Sequence, residues 1–216
     1  MQRGDFVTIN YTAQIKDTQK IFDTTYEGIA RNEGIHTENA TYGPVTIILG
    51  AGHVIPGLEK ILLTMEVEEK KEVDIESKDA FGNRDRSLLV KVPLKEFRQH
   101  GLFPRPGMRI EINNKWATVR SVSSGRVTLD FNHPLSGKTL HYNVEVVDRI
   151  EDTQKQIDAL LRLHNITGDV IADADTGGFI VTMKNLKKGT ARRTENILKK
   201  EIRTYLPDTP VTIKKA

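Results

Sequence analysis

Residues 49–60 read Leu-Gly-Ala-Gly-His-Val-Ile-Pro-Gly-Leu-Glu-Lys, and no other stretch restricts the fold as tightly. Val45, Ile47 and Leu49 alternate with polar or outward positions, the period of a strand. Glycines at 50, 52 and 57 then allow tight turning and close approach of a ligand to the backbone, because they carry no Cβ. Val54 and Ile55 precede Pro56, whose fixed φ suits the first position of a helix, and Leu58, Ile61, Leu62 and Met65 recur at helical spacing. The pattern predicts a strand, a tight turn and a short helix that leaves free N–H groups at its start. The result is an apolar shelf with almost no acid or base, suited to gripping apolar peptide rather than attacking a bond.

The flanking segments supply strands for a sheet around that helix. Val7, Ile9, Tyr11, Ala13 and Ile15 fall on one face, with Thr8, Asn10, Thr12 and Gln14 opposite, which predicts a half-buried strand. Phe22-Asp23-Thr24-Thr25 follows a polar turn. Residues 26–44 show no periodicity and read as a surface flap. Val73 and Ile75 mark another strand, ending at Asp79-Ala80-Phe81-Gly82-Asn83, and Leu140, Tyr142, Val144 and Val146 share one face of a strand long enough to close a sheet begun near residue 5.

Between these lies a β-rich stretch of different character. Val90, Val92 and Leu94 read as one strand; Phe97, Leu102 and Phe103 follow; and Pro104-Arg105-Pro106-Gly107 leads into Met108, Ile110 and Ile112. Asn113-Asn114 and Ser123-Ser124-Gly125 are turn signals on either side of a strand over 116–119. A unit this small hides few side chains, yet it carries Leu88, Leu89, Phe97, Leu102, Phe103, Met108 and Trp116. Either all of them pack inward or some form an exposed apolar patch able to bind partners, and extended clients could also add to a free strand edge.

The tail opens with Thr153 and Gln156 at capping-box spacing. A helix follows through Ile157, Leu160, Leu161 and His164, then a hairpin turning at Asp175-Thr176-Gly177-Gly178, a helix through Ile197, Leu198, Ile202 and Tyr205 stopped by Pro207, and a last strand at 211–213. An α-β-β-α-β unit of this size is marginal alone, and packing on a second copy would relieve it. The net charge of +3 arises within 151–216, where Lys187, Lys188, Arg192, Arg193, Lys199, Lys200 and Arg203 face only Glu195 and Glu201 over 187–203. That cluster reads as a solvated helix face or, more sharply, as a contact for RNA or a ribosome.

Several classes of chemistry are excluded or unsupported. The chain has no cysteine, which removes disulfides and thiol catalysis. Its six histidines, at 36, 53, 100, 133, 141 and 164, lack metal-ligand spacing, so no metal and no cofactor is expected. There is no Gly-x-Ser-x-Gly elbow and no phosphate loop. No apolar run approaches the ~20 residues that span a bilayer, and no apolar signal region opens the chain, so a cytoplasmic location is expected.

The motifs Val-Thr-Ile-Asn-Tyr, Phe-Asp-Thr-Thr, Leu-Gly-Ala-Gly-His-Val-Ile-Pro-Gly-Leu-Glu, Asp-Ala-Phe-Gly and Asn-His-Pro-Leu-Ser-Gly-Lys-Thr-Leu-His-Tyr-Asn-Val-Glu-Val occur in this order. Together they resemble the FKBP-type peptidyl-prolyl isomerases, specifically the SlyD-like branch, over residues 1–150. The tail is similar in position and length to the extra domain of long archaeal-type members. The resemblance implies an α+β fold: an FKBP-like antiparallel sheet wrapped on a short helix (1–85 and 131–150), interrupted by a small β-rich insert-in-flap chaperone domain (86–130) and followed by a small C-terminal domain with helices and strands (151–216), expected to dimerise. It also implies a proline pocket walled by Tyr11, Phe22, Asp23, Val54, Ile55, Leu58, Phe81 and Tyr142. Val54 and Ile55 match the pair whose rim includes the backbone N–H that receives the substrate carbonyl. Leu58 stands where many relatives have Trp, and Phe81 where they have Tyr, which removes a ligand-directed hydroxyl and weakens the case for binding tacrolimus-like macrolides. Leu88, Leu89, Phe97, Leu102, Phe103 and Met108 are the implied client-binding residues of the insert.

Rotation about X–Pro is slow because the amide has double-bond character. Accelerating it needs a dry pocket and a hydrogen bond to the twisted carbonyl, with no nucleophile or metal. The expected function is therefore prolyl isomerisation coupled to capture of unfolded clients. The alternative is a holdase or adaptor that binds proline-containing or unfolded segments with little turnover.

Overall fold

The computed structural model describes residues 1–184 and 191–215. Its first elements are β1 (Phe6–Ile15), β2 (Ile21–Thr24), α1 (Glu27–Asn32), β3 (Val45–Ile48), α2 (Pro56–Leu62) and β4 (Lys70–Ile75). Then come β5 (Leu89–Pro93), α3 (Leu94–Gln99), β6 (Arg109–Ile112), β7 (Lys115–Ser123), β8 (Arg126–Asp130) and β9 (Leu140–Ile150). The last are α4 (Thr153–Leu163), β10 (Thr167–Asp173), β11 (Gly178–Lys184), α5 (Ala191–Tyr205) and β12 (Val211–Lys215). They form two compact units, Met1–Asp74 with His141–Ala216, and Ile75–Leu140.

In the first unit, a five-stranded sheet runs β2-β1-β9-β4 with β3 also on β1. β1 is long enough to take two partners in succession: Phe6 to Ile9 pair antiparallel with β3, and Thr12 to Gln14 pair antiparallel with β2. The alternation in β1 puts Val7, Ile9 and Ala13 in the core, with no exposed surface. Leu58 and Leu62 of α2 are buried as well. Residues 26–44 are not entirely irregular, since α1 lies within them. It buries only Ala30 and is braced by an Arg31–Glu27 ion pair of 2.6 Å, so it leaves no apolar period to read.

The tail shares its core with this sheet. Ile157, Leu160 and Leu161 of α4, Val181 and Met183 of β11, and Leu198 and Ile202 of α5 form one cluster with Phe6 and Ile48. Phe6 also meets the ring of Tyr205 edge-on at 6.4 Å. The sheet β10-β11-β12 completes the layer, antiparallel between β10 and β11 and parallel between β11 and β12. The α4 cap differs from the sequence reading. Asp152, still extended at φ −70° and ψ 120°, accepts the Lys155 N–H at 2.8 Å, which makes Thr153 the first helical residue. Gln156 instead donates its side-chain amide to the Ile150 carbonyl at 2.7 Å.

The second unit is an antiparallel sheet ordered β5-β8-β7-β6 over a core of Phe97, Ile110, Ala117, Val119, Val127 and Leu129. Its two tight hairpins turn at Asn113-Asn114 and Ser124-Gly125. All four residues have positive φ, between 50° and 71°, which matches the twist of the strands they join. Leu94 does not continue β5. Pro93 ends the strand and Leu94 opens α3, which turns Phe97 into the core at 5% exposure. Arg84 pairs with the buried Asp130 carboxylate, and the Ser136 hydroxyl donates to the Phe81 carbonyl at 2.9 Å, so the segments flanking the strands fold with them.

Truncating Phe6 tests the shared core. Phe6→Ala is expected to lower unfolding free energy by about 3–5 kcal/mol, the usual cost of deleting a fully buried ring, measured by urea titration. A loss below about 1 kcal/mol would show that the tail does not seal this face.

Candidate active site

Strand register brings the first pair of candidate residues together. Tyr11 and Ala13 project from the same face of β1, and Asp23 of β2 lies opposite Ala13. Asp23 is thus diagonal to Tyr11, within reach of a long side chain. The Tyr11 hydroxyl donates to the Asp23 carboxylate at 2.8 Å. Tyr142 of β9, the neighbouring strand, adds its ring 6.0 Å from that of Tyr11, and Phe22 meets Tyr142 edge-on at 6.4 Å. Burial, and after it the Asp23 carboxylate, push the phenols of Tyr11 and Tyr142 well above the ordinary tyrosine range.

Thr24 and Thr25 follow the carboxylate in the chain. Both are buried, and Thr25 accepts the Tyr11 N–H at 3.0 Å while donating to the Asn10 side-chain carbonyl at 3.0 Å. They fix the backbone from which Tyr11 projects. A cavity of about 190 Å³ opens beside the pair, lined by Tyr11, Phe22 and Asp23 and by Ile35, Thr37 and Tyr42 of the 26–44 segment. The last three lie in a segment whose sequence carries no apolar period. Tyr42, an aromatic in a polar stretch, was the visible signal, and it stacks on His36 at 5.1 Å.

The 49–60 motif folds as strand, turn and helix. Gly50 and Gly52 take φ of 89° and 72°, values that favour glycine. The turn is tied to the chain start by Leu49 N–H to Asp5 carbonyl at 3.0 Å and Gly4 N–H to Leu49 carbonyl at 2.7 Å. It is tied to α2 by Gly50 N–H to the Glu59 carboxylate at 2.6 Å. Ile55 is the extended residue capping α2, with Pro56 next. Val54 and Ile55 are half-buried, while Leu58 lies in the core at 2% exposure. Phe81 belongs to the other unit, where it stacks flat on His133 at 4.3 Å.

Among the insert residues, Leu88, Leu102, Phe103, Met108 and Trp116 are exposed, Phe103 most of all at 70%, while Leu89 is half-buried. Phe97 is a core residue and offers no surface to a client. Trp116 lies beneath the Arg109 guanidinium at 5.1 Å. Of the basic cluster, Arg192, Arg193, Lys199, Lys200 and Arg203 are exposed on α5, with Lys199 paired to Glu195 at 2.7 Å; Lys187 and Lys188 lie outside the described residues. Among the described residues, no group of three or more His, Asp or Glu is arranged to hold a metal, and no helix is long and apolar enough to cross a membrane.

The site is thus a phenol–carboxylate pair among aromatic rings, with no activated nucleophile. The chain is similar to several known proteins. A short-type peptidyl-prolyl cis-trans isomerase of Methanocaldococcus jannaschii is 34% identical over 148 residues, covering 68% of this chain and 93% of the relative. The FKBP-type peptidyl-prolyl cis-trans isomerase SlyD of Helicobacter pylori is 30% identical over 162 residues, covering 73% and 82%. The FKBP-type 16 kDa peptidyl-prolyl cis-trans isomerase of Escherichia coli is 29% identical over 150 residues, covering 67% and 95%. Residues 91–135 match the family model described as FKBP26, IF domain. The chain belongs to the FKBP-type peptidyl-prolyl cis-trans isomerase family.

The raised phenols give a testable pH dependence. Unfolded tyrosines ionise near pH 10, whereas Tyr11 and Tyr142 stay neutral there in the folded chain. Their contribution is therefore fully present below about pH 10 and lost as pH rises through the folded values. Tyr11→Phe is expected to cost about 1 kcal/mol at neutral pH through the lost hydrogen bond and to flatten the alkaline decline in urea-unfolding stability. An unchanged alkaline decline in Tyr11→Phe would contradict the assignment.

Proposed function

We propose that the chain accelerates cis–trans rotation of X–Pro bonds in folding polypeptides, in a pocket walled by Tyr11, Phe22, Asp23, Val54, Ile55, Leu58 and Tyr142. The observation carrying this reading is the Tyr11–Asp23 bond set among the rings of Phe22 and Tyr142. An aromatic wall excludes water from the proline ring and disfavours the charge-separated planar amide relative to the twisted one. A backbone N–H at the Val54–Ile55 rim would hold the twisted carbonyl more tightly than the planar one, which is the differential binding that lowers a barrier. No bond breaks, so the lack of a nucleophile–base pair is consistent with the reaction.

The insert, residues 86–130, is proposed to capture unfolded clients weakly through the exposed Leu88, Leu102, Phe103, Met108 and Trp116 and the half-buried Leu89. Capture raises the effective concentration of X–Pro bonds at the pocket. We place this activity in the cytoplasm. Residues 151–216 are proposed to join two copies through the exposed face of α5, where Ile197 is 38% exposed. The holdase reading retains one observation in its favour: Phe81 offers no hydroxyl, and its ring is stacked on His133.

Two substrates separate these readings. On a short X–Pro peptide, the parent chain and a Phe103→Ser, Trp116→Ser variant are expected to show equal kcat/KM. On a proline-limited refolding protein, the variant is expected to be about tenfold weaker. Equal rates on both substrates would remove the insert from client capture, and client binding without acceleration on either substrate would leave the holdase. For the tail, sedimentation is expected to give a dimer for the parent and a monomer for Ile197→Glu; a monomeric parent would overturn that assembly.

A further inference from the structure

The N–H of Ile48 points away from its sheet. Leu49 bonds toward the chain start through both its N–H and its carbonyl, so the alternation of an antiparallel ladder turns the Ile48 N–H to the free edge of β3. There it donates to Nδ1 of His53 at 3.1 Å. A backbone N–H can only donate, so Nδ1 must be unprotonated: the ring is neutral and carries its single proton on Nε2. His53 directly precedes Val54 and Ile55, and follows Gly52 at φ 72°, where the backbone is least restrained. Its side chain is the bond that returns this end of the turn to the strand it left. The other ties, Gly50 N–H to Glu59 and Ala51 N–H to the Ile48 carbonyl at 3.2 Å, act before Gly52.

The same turn rests on the tail layer. Ala51 and Ile48 pack in the cluster of Leu160, Leu198 and Ile202. The charged and titratable groups acting on the His53 ring are Glu201 of α5, His164 at the end of α4 and Glu59 of α2. His164 and Glu201 are themselves joined at 2.6 Å. His53 is exposed as a residue, yet partial desolvation of its ring lowers its proton affinity from that of an ordinary histidine, which favours Nδ1 as an acceptor at neutral pH.

We infer that His53 is a positioning residue for the Val54–Ile55 rim: by pinning the Ile48 N–H it fixes the turn from which the rim projects. The inference rests on the isomerase reading, because it is the placing of the rim N–H that it controls. Protonating Nδ1 would abolish the acceptor and free the rim.

The test is kcat/KM on a short X–Pro peptide between pH 5 and 8, for the parent, His53→Ala, His53→Asn and His164→Asn. Small displacements of a positioned group cost up to about 100-fold, and His53→Ala is expected to lose about tenfold at pH 7.5, chiefly in kcat. His53→Asn retains an acceptor in place of Nδ1 and is expected to recover to within about twofold of the parent. The parent is expected to lose activity only as pH falls below the ordinary histidine value of about 6.5, because desolvation lowers that of His53. His164→Asn should keep that step, and His53→Asn should lack it. An active parent matched by His53→Ala at every pH would overturn the inference while leaving the isomerase reading intact. A pH step that persists in His53→Asn would overturn it too, and a parent inactive on the peptide would remove the reading on which it stands.

Discussion

The structure of the first unit depends on β1 being buried differently at its two ends. At its start, both faces are covered: Val7 and Ile9 face the core beneath the sheet, and Phe6 on the opposite face is sealed by Tyr205 and the tail cluster. Toward its end only one face is buried, and Tyr11 is left half-exposed beside Asp23. Burying a ring the size of Phe6 contributes roughly 1.5–3 kcal/mol, so the covered end anchors the strand while the open end presents the candidate site. A tail of this size, marginal by itself, gains its stability through the same contact.

The chemistry follows from what the open end lacks. A barrier of ~18–20 kcal/mol stands against amide rotation, and each ~1.4 kcal/mol removed is worth tenfold in rate. In the proposed function, preferential hydrogen bonding to the twisted carbonyl, in a pocket that excludes water, would act on that barrier without proton transfer to substrate. The high phenols of Tyr11 and Tyr142 fit groups that stay neutral and structural throughout. Leu58, fully in the core, supports the floor of α2 by packing alone.

Much of this architecture was legible in the residues, and the failures have physical causes. The strand period of residues 7–15 and the two turn signals of the β-rich unit correspond to β1, to the Asn113-Asn114 turn and to the Ser124-Gly125 turn. The covered outer face of β1 was missed, although Phe6 and Ile48 are apolar at positions that alternation assigns to solvent. Two residues make no period, so they signal burial only once the tail is placed over them. The helix α1 was hidden because a single buried residue holds it. The cap at Asp152 was displaced by one because two adjacent residues both suit the role, and only backbone geometry chooses between them. At the site, the Tyr11–Asp23 pairing follows from strand register, which sequence spacing does not reveal; the flap residues Ile35, Thr37 and Tyr42 lie in a segment with no pattern at all.

The most direct measurement of the central claim is exchange NMR on a tetrapeptide containing one X–Pro bond, with the chain added at about one-hundredth of the peptide concentration. Uncatalysed exchange takes tens to hundreds of seconds and gives separate cis and trans signals with no cross-peaks on the NMR timescale. The account predicts that cross-peaks between the two isomers emerge and grow with added chain, and that Asp23→Ala reduces their build-up rate. Cis and trans signals that stay unlinked at every concentration of folded chain would contradict it.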